Sequence, residues 1–223
     1  MQLFVLLPKS LGMKKVETLL KNYIAFEMKE GRAPNSVFEF CKANKMDEKD
    51  FYAHFNNFSQ LRKEILISII VDVFETIDND ENYETFSPKE KVLAVFYTLF
   101  EEFKSMRSYL LFRYDNKENW KYFSSDWEGF FRQLSARMEQ LIIEAKTHNE
   151  IKDRPFIGNH YAKGLKLLFV YVFRVWVKDE SKEFQNTDAA IEKSVNLFYD
   201  LLGQGPLDAL IDFGKFAMKT KVI

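Results

Sequence analysis

The sequence predicts an all-α fold, on three observations. With Gly 8 and Pro 5 in 223 residues there are too few breaks for the many turns of an all-β chain. A hydrophobic content of 47%, including 16% aromatic residues, excludes a disordered chain. Apolar residues also recur at i, i+3 and i+4 through most stretches between polar breaks, the period of a helix with one buried face. The length suits either one compact helical unit or a small head on a larger body.

The elements follow in order. Met1 to Leu7, MQLFVLL, lacks a basic lead and is too short for a signal peptide or a membrane span, which needs ~20 residues, so it is expected to be an arm or a docked extension. Met13 is a plausible alternative start. The first helix is expected over residues 14–30, with Val16, Leu19, Leu20, Tyr23, Ile24 and Met28 inward and Gly31 closing it. Ser36-x-x-Glu39 reads as a capping box, in which Ser36 accepts from a free backbone N–H and Glu39 reaches back to the cap. It opens a short helix with Val37, Phe40 and Cys41 on one face, ended by Asn44-Lys45. Asp47 is the expected N-cap of a third helix carrying Phe51, Tyr52 and Phe55. Two short helices around a tight turn are how a helix-turn-helix looks in sequence.

Residues 60–77 carry a continuous apolar stripe from Leu61 to Phe74, and Pro88 opens a helix over 88–106 with Val92, Val95, Phe96, Leu99, Phe100 and Phe103 inward. A short helix at 108–114 and a long one at 120–148 follow. Residues 162–178, AKGLKLLFVYVFRVWVK, are rich in β-branched and aromatic side chains. About seventeen residues without a turn nevertheless exceed a strand's usual ~5–6, so a helix covered on both faces is expected. Amphipathic helices at 188–202 and 207–218 complete the chain.

Gly31, Val37, Phe51, Tyr52, His54 and Phe55 match, in identity and spacing, the N-terminal domain of the TetR family of ligand-responsive bacterial repressors, which this chain resembles over roughly its first quarter. The resemblance implies a TetR-like fold: a three-helix helix-turn-helix head over residues 13–58, and a helical-bundle body for ligand binding and dimerisation over 59–223. It implies a cytoplasmic homodimer that binds double-stranded operator DNA and responds to a hydrophobic small molecule. On the head, Ser36, Lys49, Tyr52, His54, Asn56 and Asn57 would face DNA, with Lys49 on a base edge and Tyr52 and Asn57 on phosphates. Family members dimerise by packing their final long helices against the partner's. Here that role would fall to Phe169, Phe173, Trp176, Val195, Phe198 and Tyr199, unless these aromatics are intrachain core.

The recognition helix departs from the family pattern. Where the family usually has Ser/Thr, Lys, Gly/Ala and Thr/Ser, this chain has Asp47, Glu48, Lys49 and Asp50, and the family's phosphate-contacting Lys is replaced by Phe58. Carboxylates at a helix start complement its dipole, by about 0.3–1 kcal/mol each, but they repel a phosphate backbone whose binding depends on Lys and Arg. An alternative follows: a protein of this fold that has lost DNA binding and holds a hydrophobic ligand or lipid.

Net charge is -1, unevenly spread: residues 14–63 hold ten Lys/Arg against seven Asp/Glu, a weak basic bias toward the head. The single Cys41 forms no intrachain disulfide and is expected to pack as a small apolar group in a cytoplasmic protein. His54, His148 and His160 are far apart and lack metal-ligand spacing. There is no phosphate-binding glycine loop and no nucleophile elbow, and Asp212-Phe213-Gly214 stands without the motifs that would give it a kinase meaning. No enzyme, metal, cofactor or membrane insertion is expected. Aromatic residues concentrate between 96 and 138, as they do in large cores and in ligand pockets alike. If a pocket forms, Phe96, Phe100, Trp127 and Phe131 are its expected walls, and Tyr109, Arg113 and His160 its polar anchors.

Overall fold

The computed structural model describes residues 11–115, 123–154, 160–203, 213, 214 and 216, and among these every regular element is a helix. The helices are α1 (Leu11–Glu30), α2 (Val37–Ala43), α3 (Glu48–Tyr52), α4 (Phe58–Asp78), α5 (Pro88–Ser105), α6 (Arg107–Tyr114), α7 (Phe123–Asp126), α8 (Glu128–Thr147), α9 (Tyr161–Val177) and α10 (Gln185–Leu202). Single 3-10 turns at Tyr83–Thr85 and Lys182–Phe184 precede α5 and α10. The stretch 162–178 is a helix, as its length requires. Among the described residues, the expected helix over 120–148 is interrupted, because the chain turns at Trp127 between α7 and α8. Of the segment 207–218 only Phe213, Gly214 and Phe216 are described; Met1 to Leu7, expected to form an N-terminal arm, also lie outside the described residues.

The chain forms two compact units, each discontinuous in sequence. One comprises Met1–Ser68 with Met106–Gly129, the other Ile69–Ser105 with Phe130–Ile223. The resemblance implies a head over residues 13–58 and a body over 59–223; by contact, α6 and α7 fall in the same compact unit as α1–α3.

In the first unit α2 packs on α3 and α1 on α6. The buried stripe of α1 passes through Leu19, Leu20, Tyr23, Phe26 and Glu27. Met28, expected inward, lies one 100° step beyond that stripe and is exposed. Gly31 closes α1 at φ 66, and its N–H donates to Glu27 O at 2.9 Å. Gly129, at the start of α8, lies so close to Ile67 that an added Cβ would come within 2.4 Å of its Cδ1.

The second unit is built around α9. Phe169 is fully buried, with the rings of Phe130, Phe131 and Phe100 centred 5.1, 5.7 and 5.8 Å from its own. Phe103, Phe173 and Trp176 extend the cluster at 5.6–5.8 Å spacings, mostly in the tilted and edge-on geometries that suit the aromatic quadrupole. α10 packs on both α9 and α5, and the Gly164–Phe198 approach, where a Cβ would stand 3.0 Å from the ring, brings α9 and α10 close.

Candidate nucleic-acid interface and ligand site

The two short helices α2 and α3 are set by local chemistry. Ser36 Oγ accepts from Glu39 N at 3.1 Å, fixing the first turn of α2. The reciprocal half of the cap is displaced by one residue: Glu39 Oε2 accepts from Asn35 N at 2.7 Å rather than from the cap residue itself. Arg32 Nη2 also donates to Glu39 Oε1 at 2.6 Å, and these two donors hold the carboxyl down at about 2. The turn after α2 closes by Met46 N donating to Cys41 O and Lys45 N to Lys42 O, with Lys45 left-handed at φ 54. Asp47 occupies the N-cap of α3 but makes no side-chain cap bond. A second capping pair opens α4, where Asn57 Oδ1 accepts from Gln60 N and Gln60 Oε1 from Asn56 N.

Beneath this surface, Phe40 and Phe51 are fully buried and meet at 6.0 Å. Phe58 joins them, 5.7 Å from Phe40, 5.3 Å from Phe51 and 5.3 Å from Tyr23. The residue standing in the place of the family's phosphate-contacting lysine is thus part of the aromatic packing of the head.

Of the residues expected to face DNA, Ser36, Lys49, Tyr52, Asn56 and Asn57 are exposed and His54 is half-buried. Ser36 and Asn57 use an oxygen to cap their helices, which leaves the Ser36 hydroxyl proton and the Asn57 amide protons to donate outward. Of the acidic side chains at the start of α3, Asp50 accepts from Lys15 Nζ at 3.5 Å across exposed surface.

Tyr109, Arg113 and Trp127, expected to line a pocket, belong to the first unit, while Phe96, Phe100, Phe131 and His160 belong to the second. Phe96, Phe100 and Phe131 are buried around Phe169, whereas His160 is exposed. Arg113 is held by internal charges: its Nη1 donates to Glu27 Oε1 at 3.3 Å and its Nη2 to Asp126 Oδ2 at 3.4 Å. Arg62 mirrors it, Nε donating to Asp126 Oδ2 at 3.3 Å and Nη1 to Tyr23 Oη at 3.4 Å. Tyr23 Oη in turn donates to Glu27 Oε1 at 2.8 Å, and Tyr114 Oη to Asp126 Oδ2 at 3.4 Å. Glu27 is 0% exposed and Asp126 1%. Burial pushes the Glu27 carboxyl above its usual range, although Arg113 beside it pulls the other way. Burial, with the Glu27 charge adding to it, likewise raises the Tyr109 hydroxyl well above its ordinary value.

Sequence reasoning missed this cluster. Tyr23 and Glu27 stand at i, i+4 on one helix, which is a visible signal, but Arg62 and Asp126 are 64 residues apart and nothing local pairs them.

The six residues expected at a dimer interface, Phe169, Phe173, Trp176, Val195, Phe198 and Tyr199, are all buried in the core of their own chain. The exposed apolar side chains of the same helices are different ones: Leu167 and Tyr171 on α9, Leu197 and Leu201 on α10. A groove of about 370 Å³ in the second unit runs between α5 and the start of α10, lined by Tyr97, Phe100, Glu101, Lys104 and Asp188 among others. Among the described residues no cluster of three or more His, Cys, Asp or Glu is placed to hold a metal ion, and no helix is long and apolar enough to cross a membrane.

A family model described as tetracyclin repressor-like, C-terminal domain, matches residues 91–217, more than half of the chain. The match falls on the body, whereas the sequence resemblance was carried by the head. No curated protein and no solved structure matches.

Proposed function

The chain belongs to the tetracycline-repressor-like family, and from that premise we propose that it is a cytoplasmic, homodimeric regulator that binds operator DNA through α2 and α3 and responds to a hydrophobic effector in its body. The observation that carries this reading is the head itself: a capped α2, a tight turn and a short α3 that leaves Lys49 and Tyr52 exposed. A helix presented in this way enters the major groove with its first residues nearest the base edges. Lys49 is assigned to a base edge or an adjacent phosphate, and Tyr52 and Asn57 to phosphates.

The response is a population shift. An effector that prefers a body conformation unsuited to the spacing of the two heads lowers DNA affinity by the size of that preference. Dimerisation is assigned to the exposed faces of α9 and α10 that carry Leu167, Tyr171, Leu197 and Leu201.

The test is retention of genomic fragments as a function of salt. Retention should fall steeply with ionic strength, Lys49→Ala should reduce the salt slope by about one unit, and Tyr52→Ala should weaken binding to every fragment. Failure to retain any fragment at low salt overturns the proposal.

Phe58 in the aromatic packing of the head and the carboxylates of Asp47, Glu48 and Asp50 favour a second reading, a family member that holds a hydrophobic ligand or lipid and does not bind DNA. Native mass spectrometry showing a co-purified lipid, together with absent DNA retention, selects it.

A further inference from the structure

The charged cluster of the first unit closes on itself: Tyr23 to Glu27, Glu27 to Arg113, Arg113 to Asp126, Asp126 to Arg62, and Arg62 back to Tyr23. Each arginine bridges α1 and α7, Arg113 from α6 and Arg62 from α4. Two cations face two carboxylates, so withdrawing any one charged member leaves a net charge buried in the remainder, which is far more costly than losing the balanced set.

The ring is nevertheless an expensive way to hold helices together. Glu27 Oε2, Arg113 Nε and Asp126 Oδ1 are buried and have no hydrogen-bond partner among the described residues. Desolvating four charges and leaving three polar atoms unmet offsets much of the mutual attraction. An apolar contact of similar size would fasten these helices more firmly. What the ring supplies instead is cooperativity, because its members must stay or leave together.

Two further features give it a lever and a hinge. The Tyr23 hydroxyl belongs to the ring, while the Tyr23 aromatic face lies 6.1 Å from Phe40 of α2 and 5.3 Å from Phe58 of α4. Met106, where the chain enters the first unit from α5, has left helical geometry at φ -112, ψ 15. Two further titratable groups of α6 face the ring, Tyr109 beside Glu27 and Tyr114 beside Asp126.

We propose that this ring is a two-state latch on the head. Closed, it docks α6 and α7 on α1 and α4; open, it frees these helices from α1 and α4 together, with Met106 taking up the change of direction of α6 and Tyr23 passing it to α2. The latch rests on the DNA-binding reading only for its effect on DNA affinity, so the two are tested by separate measurements.

Hydrogen exchange on the full chain tests the latch. Arg113→Gln should speed amide exchange roughly tenfold or more in residues 107–114 and, in parallel, in residues 37–55. Glu27→Gln should do the same. The double variant Glu27→Gln/Arg113→Gln, again charge-balanced, should recover most of the protection. Acceleration confined to 107–114, or single effects that simply add in the double variant, overturns the latch. Should Arg113→Gln fail to fold, Tyr23→Phe removes only the hydroxyl; several-fold faster exchange in both segments supports the latch and no change in either overturns it. Parallel acceleration in a protein that retains no DNA leaves the latch standing and removes the DNA-binding reading.

Discussion

Lys45 keeps a left-handed backbone because the turn that follows α2 can close in no other way: two backbone carbonyls of the last helical turn need the N–H groups of Lys45 and Met46. A side chain in that conformation costs ~1–2 kcal/mol, which glycine avoids at the expense of a more flexible unfolded chain. Lys45→Gly should therefore raise stability by roughly 0.5–1 kcal/mol, read as a higher urea midpoint with an unchanged slope. Asp179 works in the opposite sense. It is 5% exposed, and its carboxylate takes hydrogen bonds from the backbone and hydroxyl groups of both Ser181 and Thr187. Burial alone would raise its pKa, but those four donors overcome it and bring the group down to about 2. A folded value below the unfolded one means stability that is present above about pH 4 and lost as pH falls toward 2. About 2 kcal/mol should disappear across that window, and Asp179→Asn should flatten the pH dependence of unfolding measured there.

Between elements, the exposed pairs Leu167/Tyr171 and Leu197/Leu201, each at i, i+4, mark one apolar face on each of two helices that pack together. With the larger aromatics of α9 already inside, these four are the side chains that the proposed dimer would cover. Leu167→Glu/Leu201→Glu should shift the protein from dimer to monomer in light scattering, whereas Phe173→Ala should lower stability by about 3–5 kcal/mol through a core cavity. Local features of the helices were legible in the sequence: Ser36 as a cap, Gly31 as a stop, Pro88 as a start, and the buried stripe of α5. Each depends on residues within a few positions of one another. The two faces of α9 were not legible, because a helix apolar on nearly all sides gives no sign of which ring turns inward. Nor was the Glu27–Arg113 contact, whose partners are 86 residues apart.

Across the whole molecule, the unit that carries the head takes 106–129 as part of itself. Residues 11–68 alone lack Arg113 and Asp126, so Glu27 and Arg62 would lose the opposite charges they face in the full chain. A fragment of residues 11–68 should show reduced helicity by circular dichroism and no cooperative melt, whatever α2 and α3 do in the full chain. The same discontinuity sets a schedule on the ribosome. Synthesis runs from the N-terminus, and at ~5–20 residues per second several seconds separate the appearance of the last residue of α1–α3 from that of Asp126. Through that interval the nascent head must keep Phe26, Phe40 and Phe51 from other chains without its final partners, and closing so long a loop adds entropy to the delay. Synthesis rate and chaperone supply should then weigh, alongside the stability of the finished protein, on how much folded protein a cell obtains.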